Sequence, residues 1–126
     1  MTTLVLDASA VLATLFDEPG GEVALAAKDA AISAINFAEV ISKLLARGLP
    51  ESDAFAAARS FRMEVVPTDV VQAELAGVLH ARTRQRGISM GDAFCLALAA
   101  TLGVPAVTGE RRWSALDLGV ELTLIR

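Results

Sequence analysis

Residues 2–16 read TTLVLDASAVLATLF. Within them, Leu4-Val5-Leu6 is a short aliphatic run with no polar alternation, the pattern of a strand covered on both faces. The run stops at Asp7. An Ala- and Leu-rich helical stretch then carries the chain to Phe16, where Pro19-Gly20-Gly21 breaks it. A buried strand that ends in an acid and turns at once into a helix is the opening unit of an α/β domain.

The same alternation repeats outward from this unit. A helix is expected over 22–28 and a strand over 31–33. From Asn36 onward, Phe37, Val40, Ile41, Leu44 and Leu45 recur at helical spacing until Gly48 supplies a stop. Pro50 opens a further helix to about residue 62, and Glu64-Val65-Val66 reads as a strand before Pro67. The next helix is expected over 69–86, closed by Gly87, with Val71, Leu75, Val78, Leu79 and Arg82 on one face. Residues 90–102 form a nearly all-apolar helix, expected to be central and buried. Pro105-Ala106-Val107 is a strand leading into Thr108-Gly109-Glu110, a short helix passes through Trp113, and residues 122–125 close the sheet. The expected fold is therefore a single α/β domain over 1–126, three layers deep, with a mostly parallel sheet between helices. Sites in such sheets form beyond the carboxyl ends of the strands, which is where Asp7 and Glu110 fall.

Composition narrows the function. The chain has 126 residues, 54% hydrophobic and 21% charged, enough to bury a real core. Eleven Lys and Arg against fifteen Asp and Glu leave a net charge of -4, so bulk positive charge cannot be what holds it on nucleic acid or lipid. Cys95 is the one cysteine, which excludes an intramolecular disulfide and a cysteine-built zinc site and points to a reducing, cytoplasmic setting. The uncharged stretch after Asp92 is interrupted by Gly103 and Pro105 and falls short of the ~20 residues of a membrane span. The first residues lack the basic region of a signal peptide.

Four acids sit at element boundaries: Asp7 in LDASA, Glu39 in NFAEV, Asp92 in SMGDAF and Glu110 in TGERRW. Each has an ordinary structural explanation. Asp7 suits the N-cap of the first helix. Glu39 lies three residues after Asn36, as in a capping box, and four before Lys43. Asp92 stands three after Ser89, and Glu110 favours the N-terminal end of a short helix. Together the four gather at one sheet edge, two of them on otherwise apolar elements. Carboxylates so placed repel one another unless protons or a cation intervene. A hard divalent cation with oxygen ligands is the natural answer, Mg2+ taking one or two carboxylates directly.

In this order and these contexts, the acids resemble a PIN domain, specifically a VapC-type ribonuclease toxin of a toxin–antitoxin pair. The resemblance runs through LDASA, NFAEV, SMGDAF and VTGERRW and covers essentially the whole chain. It implies a PIN-like α/β/α fold, a Mg2+-dependent endoribonuclease (Mn2+ as the alternative ion), an RNA substrate, a protein antitoxin and a homodimer. Asp7 and Asp92 would then be the direct metal ligands, with Glu39 and Glu110 holding the ion, a second ion or the attacking water. The fourth acid of the pattern is more often Asp. Here it is Glu110, with Asp117 as a weaker substitute.

The neighbouring residues carry two readings each. Ser9 either orients Asp7 or is a first-turn hydroxyl, and Thr108 either supports the fourth acid or merely ends a strand. Asn36 is read as an N-cap ahead of a site contact. Cys95 is read as a small buried hydrophobe, Trp113 as packing, and His80 as a partly exposed helix residue. Arg111 and Arg112, beside the fourth acid, are the candidate phosphate contacts, while Arg82, Arg84 and Arg86 read as a solvated helix end. The competing function is a catalytically degenerate PIN-like module that docks a protein partner. A phosphatase would want Asp where Ser9 stands, and a receiver domain a Lys later than Lys43.

Overall fold

The short aliphatic runs become strands β1 (Leu4–Leu6), β2 (Ala30–Ser33), β3 (Met63–Val66), β4 (Ala106–Thr108) and β5 (Leu122–Leu124) in the computed structural model, which describes residues 1–115 and 119–126. The helices are α1 (Ala8–Leu15), α2 (Gly21–Leu25), α3 (Ala34–Ala46), α4 (Glu51–Ser60), α5 (Val70–Thr83) and α6 (Met90–Leu102), with 3-10 turns at Arg84–Arg86 and Arg111–Ala115. One sheet runs β3-β2-β1-β4-β5, and every adjacent pair is parallel. Both faces are covered, because alternate strand residues point opposite ways. Leu6, Ile32 and Val107 join α1, α3 and α4 in one core, whereas Val5 and Ala106 join Trp113, α5 and α6 in the other. Among the described residues, no helix is long and apolar enough to cross a membrane.

Punctuation explains the close turns. Gly20 has a φ of 90°, and a Cβ there would run into the Ile125 carbonyl; one at Gly21 would strike the backbone of Ala13. The Pro-Gly-Gly break thus lets the α1–α2 turn lie directly against the segment that follows β5.

Three local expectations are corrected. The second helix ends at Leu25 rather than 28, since Asp29 adopts a left-handed φ of 55° that turns the chain into β2. The cap of α3 is Ser33, whose hydroxyl accepts from the Ile35 N–H at 3.2 Å, so Asn36 is the third residue of the helix and not its cap. On α5 the buried arc is Gln72 and Ala76, flanked by Leu75 and Leu79. Val71 and Val78 of the expected face are 66% and 45% exposed. The two arcs share Leu75 and Leu79 but are rotated, with Ala76 rather than a valine packed into the core beside α6.

The strand order reverses at β1: β2 lies on one side and β4, some hundred residues later, on the other. The crevice at such a switch point, beyond the carboxyl ends, is where α/β sheets bind ligands. Asp7 follows β1 there, and Thr108 ends β4 there.

Candidate active site

Asp7 is both the end of β1 and the N-cap of α1, its Oδ1 accepting from the Ala10 N–H at 2.8 Å. Two hydroxyls complete its surroundings. The Ser9 Oγ accepts from the Gly109 N–H at 2.9 Å, and the Thr108 Oγ accepts from the Glu110 N–H at 2.9 Å. Each hydroxyl accepts one N–H and has its own proton for the acid: Ser9 lies 2.8 and 2.9 Å from the two carboxylate oxygens, and Thr108 donates to Oδ2 at 2.5 Å. The loop after β4 therefore sets the geometry of a carboxylate on β1. Ser9 is at once a first-turn hydroxyl and a support of Asp7, while Thr108 supports the first acid with its side chain and meets the fourth only through a backbone N–H.

Asp7 is buried, 3% exposed. Burial pushes its carboxyl up from 3.8 to about 6, against the lowering by the Thr108, Ala10 and Ser9 hydrogen bonds, and the nearby Asp92 charge adds to the rise. Asp92 realises its capping reading in full: Oδ2 accepts from the Ser89 N–H at 2.9 Å while the Ser89 hydroxyl accepts from the Asp92 N–H at 3.1 Å. That box uses one carboxylate oxygen and fixes the side chain at the start of α6. Capping and a role in the site are compatible.

Glu39 comes to the same place from α3. Asn36, one turn earlier, donates its Nδ2 to Glu39 Oε1 at 2.7 Å and to the Gly91 carbonyl at 3.0 Å. Gly91 has no side chain to obstruct this; a Cβ there would overlap the Glu39 carboxylate. Asn36 is thus a buried tie between α3 and α6. Cys95, one turn beyond Asp92, is wholly buried, and its thiol is pushed well above the usual range by burial and then by the charges of Asp7, Asp92 and Glu39. The same three carboxylates surround it.

Glu110 has a partner of its own. Its half-exposed carboxylate pairs with the Arg112 Nε at 3.6 Å. Arg112 lies over Gly87, and the exposed Arg111 donates its Nε to the Arg126 carbonyl at 3.0 Å. Asp117 lies outside the described residues. Trp113 is fully buried as packing, His80 is half-buried on α5, and Arg82, Arg84 and Arg86 are exposed. Sequence reasoning missed Gly91 and Arg126. The glycine ahead of the acid in SMGDAF was the available signal for the first, and no local pattern marks the second.

The donor set fits a hard divalent cation. It is all oxygen, its central member is a desolvated carboxylate beside a like charge, and Asn36 Oδ1 is a buried oxygen without a hydrogen-bond partner next to Glu39. Among the described residues, no three His, Cys, Asp or Glu side chains converge closely enough to ligate one ion by themselves.

Comparison with known proteins agrees with this architecture. A comparison with curated proteins returns no match. Among solved structures, the chain is similar to DNA-bound VapBC from Salmonella typhimurium, with a TM-score of 0.76 at 20% identity over 100% of both chains. It is similar to VapBC-5 from Mycobacterium tuberculosis, with a TM-score of 0.69 at 25% identity over 100% of this chain and 99% of that one. VapC20 from the same organism gives 0.72 at 23% identity, over 90% of this chain and 94% of that one. The sequence signature described as PIN domain matches residues 4–118, and it spans every acid whose surroundings are given above: the chain belongs to the PIN domain family.

Proposed function

We propose that this protein is a metal-dependent endoribonuclease, the toxin of a toxin–antitoxin pair, that hydrolyses RNA phosphodiester bonds in the cytoplasm. The observation that carries the reading is the buried Asp7 carboxylate, held by two oriented hydroxyls and faced by Asp92 at the switch point of the sheet. PIN domains are nucleases, and the similar VapC20 is a sarcin-ricin loop cleaving toxin. Asp7 and Asp92 would hold Mg2+, or Mn2+. Such an ion supplies the charge that polarises the phosphoryl group and acidifies a water, so no nucleophilic side chain is required. Ser9 and Thr108 keep Asp7 from turning away. Glu39, tied by Asn36, and Glu110, once released from Arg112, hold the ion, a second ion or the attacking water. Arg111 and Arg112 contact RNA phosphates. A cognate antitoxin and a second copy of the chain are the protein partners, in line with the VapBC complexes among the similar structures.

One observation favours the other reading, a non-catalytic docking module: the carboxylate of the fourth acid is engaged by Arg112. Incubating the purified protein with mixed RNA separates the two. Cleavage that appears with Mg2+ or Mn2+ and stops with chelator is the expected result. Cleavage that persists in chelator removes the metal mechanism, and none under any metal favours the docking module.

A further inference from the structure

Two clefts flank Asp7. One, of about 590 Å³, is lined by Gly109, Glu110, Arg111, Arg112 and Arg126; the other, of about 380 Å³, by Ser9, Phe16, Lys43, Arg47 and again Arg126. The Ser9 hydroxyl that holds Asp7 also accepts from the Gly109 N–H, so the buried acid stands where the two clefts adjoin. Five of the eleven basic residues of a chain with net charge -4 line them. In an acidic molecule such a concentration marks a path for an anion.

The cations are available to that anion. Arg112 and Arg126 each meet one carboxylate, Glu110 and Glu18, at 3.6 Å between side chains at least one-third exposed, contacts weak enough for phosphate to displace. Lys43 and Arg47 have no carboxylate within 4.0 Å among the described residues, and Arg111 commits its Nε to the Arg126 backbone oxygen at 3.0 Å and keeps its terminal N–H groups for another acceptor. The Arg126 guanidinium lies against Gly109, where the missing Cβ lets it reach over the carboxyl end of β4, and it donates to the Pro19 carbonyl at 3.4 Å. The second cleft adds a flat apolar element. The Arg47 guanidinium sits 3.9 Å from the centroid of the Phe16 ring, with Phe16 half-buried and Arg47 exposed, so the outer face of the cation is open. Nucleobases stack on guanidinium planes and aromatic rings, but a base paired in a duplex offers no free face.

We infer that the two clefts form one track for single-stranded RNA, with phosphates on Lys43, Arg126, Arg111 and Arg112 and one unstacked base on the Arg47–Phe16 platform. The inference rests on the nuclease reading and extends the substrate contact across α1 and α3 to the far side of Asp7. It is tested by fluorescence anisotropy of a labelled ten-nucleotide single-stranded RNA, in chelator, across a salt series. Lys43→Ala with Arg47→Ala should weaken binding roughly tenfold and lower the salt slope by about 0.7, for the one phosphate contact, that of Lys43, removed. Arg47→Lys, at an exposed position, should keep the slope and still lose affinity, because it keeps the charge and removes the plane. The same sequence as a duplex should bind more weakly than the single strand. If the wild type cleaves RNA with Mg2+ while these variants bind as it does, the track is wrong and the nuclease reading stands. If the wild type neither binds nor cleaves RNA under any metal, the nuclease reading falls and the track with it. Deca-glutamate bound as tightly as the RNA, with both indifferent to Arg47→Lys, would make this a docking surface for acidic protein segments and overturn the inference.

Discussion

Asp7 is at once the cap of α1 and a buried carboxyl at the switch point of the sheet. Its carboxyl is raised to about 6 by burial, so the folded chain holds that proton more tightly than the unfolded one and carries it below about pH 6. Without a metal, that contribution to stability is complete below about pH 4 and is lost as pH rises through 6, roughly 3 kcal/mol in all. Asp7→Asn keeps the Ala10 cap, because Asn caps as well as Asp, and has no charge to bury. In chelator its melting temperature should exceed that of the wild type at about pH 7.5 and hardly change between pH 4 and 7.5. Mg2+ should raise the melting temperature of the wild type alone, and RNA cleavage should be lost in the variant. Melting curves across pH, with and without Mg2+, check all of this, and superposable pH profiles would show that Asp7 is not the buried titrating group. At this scale the sequence was informative about charge and mute about distance. LDASA announced an acid at a strand end, but nothing near it announced Thr108, whose hydroxyl arrives from 101 residues away.

Between elements, the contact that matters most is the one α3 makes with the first turn of α6. It passes through Gly91, where Asn36 holds Glu39 against a backbone bare of any Cβ. Gly91→Ala would push the Glu39 carboxylate aside. The flexible end of a glutamate can yield, and alanine is the better helix former, so stability should change by less than about 1 kcal/mol. Cleavage should nonetheless fall roughly 10–100-fold, as when a supporting contact of a metal site is removed. Equal activity with equal stability would take Glu39 out of the site. Element positions were largely legible: α6 has the expected limits, and each strand lies within a residue or two of its aliphatic run. Glycine and proline punctuate this chain between elements, which is why the limits show. Which residue caps α3, and which arc of α5 is buried, did not show. Ser33 and Asn36 both suit a cap, and aliphatic period alone does not tell a face turned to the core from one left outside.

The whole molecule leaves that outer face of α5 uncovered, with Val70, Val71 and Val78 at 74%, 66% and 45% exposure. Contiguous apolar surface of this kind marks association. The wild type should be a dimer by light scattering, and Val71→Glu with Val78→Glu should yield a folded monomer whose own stability differs by about 0.5 kcal/mol or less per site. A variant that still dimerises would place the interface elsewhere. The position of β1, between a strand made early and one made late, also has a temporal side. The segments through β3 can pair as they leave the ribosome, whereas the Thr108 hydroxyl, and the Gly109 and Glu110 N–H groups that orient the two hydroxyls on Asp7, are made near the end. Until those residues emerge and β4 inserts beside β1, Asp7 has only the Ser9 hydroxyl and the Ala10 N–H to hold it. The full surroundings of Asp7 are therefore completed in a late step of synthesis, when β4 takes its place beside β1.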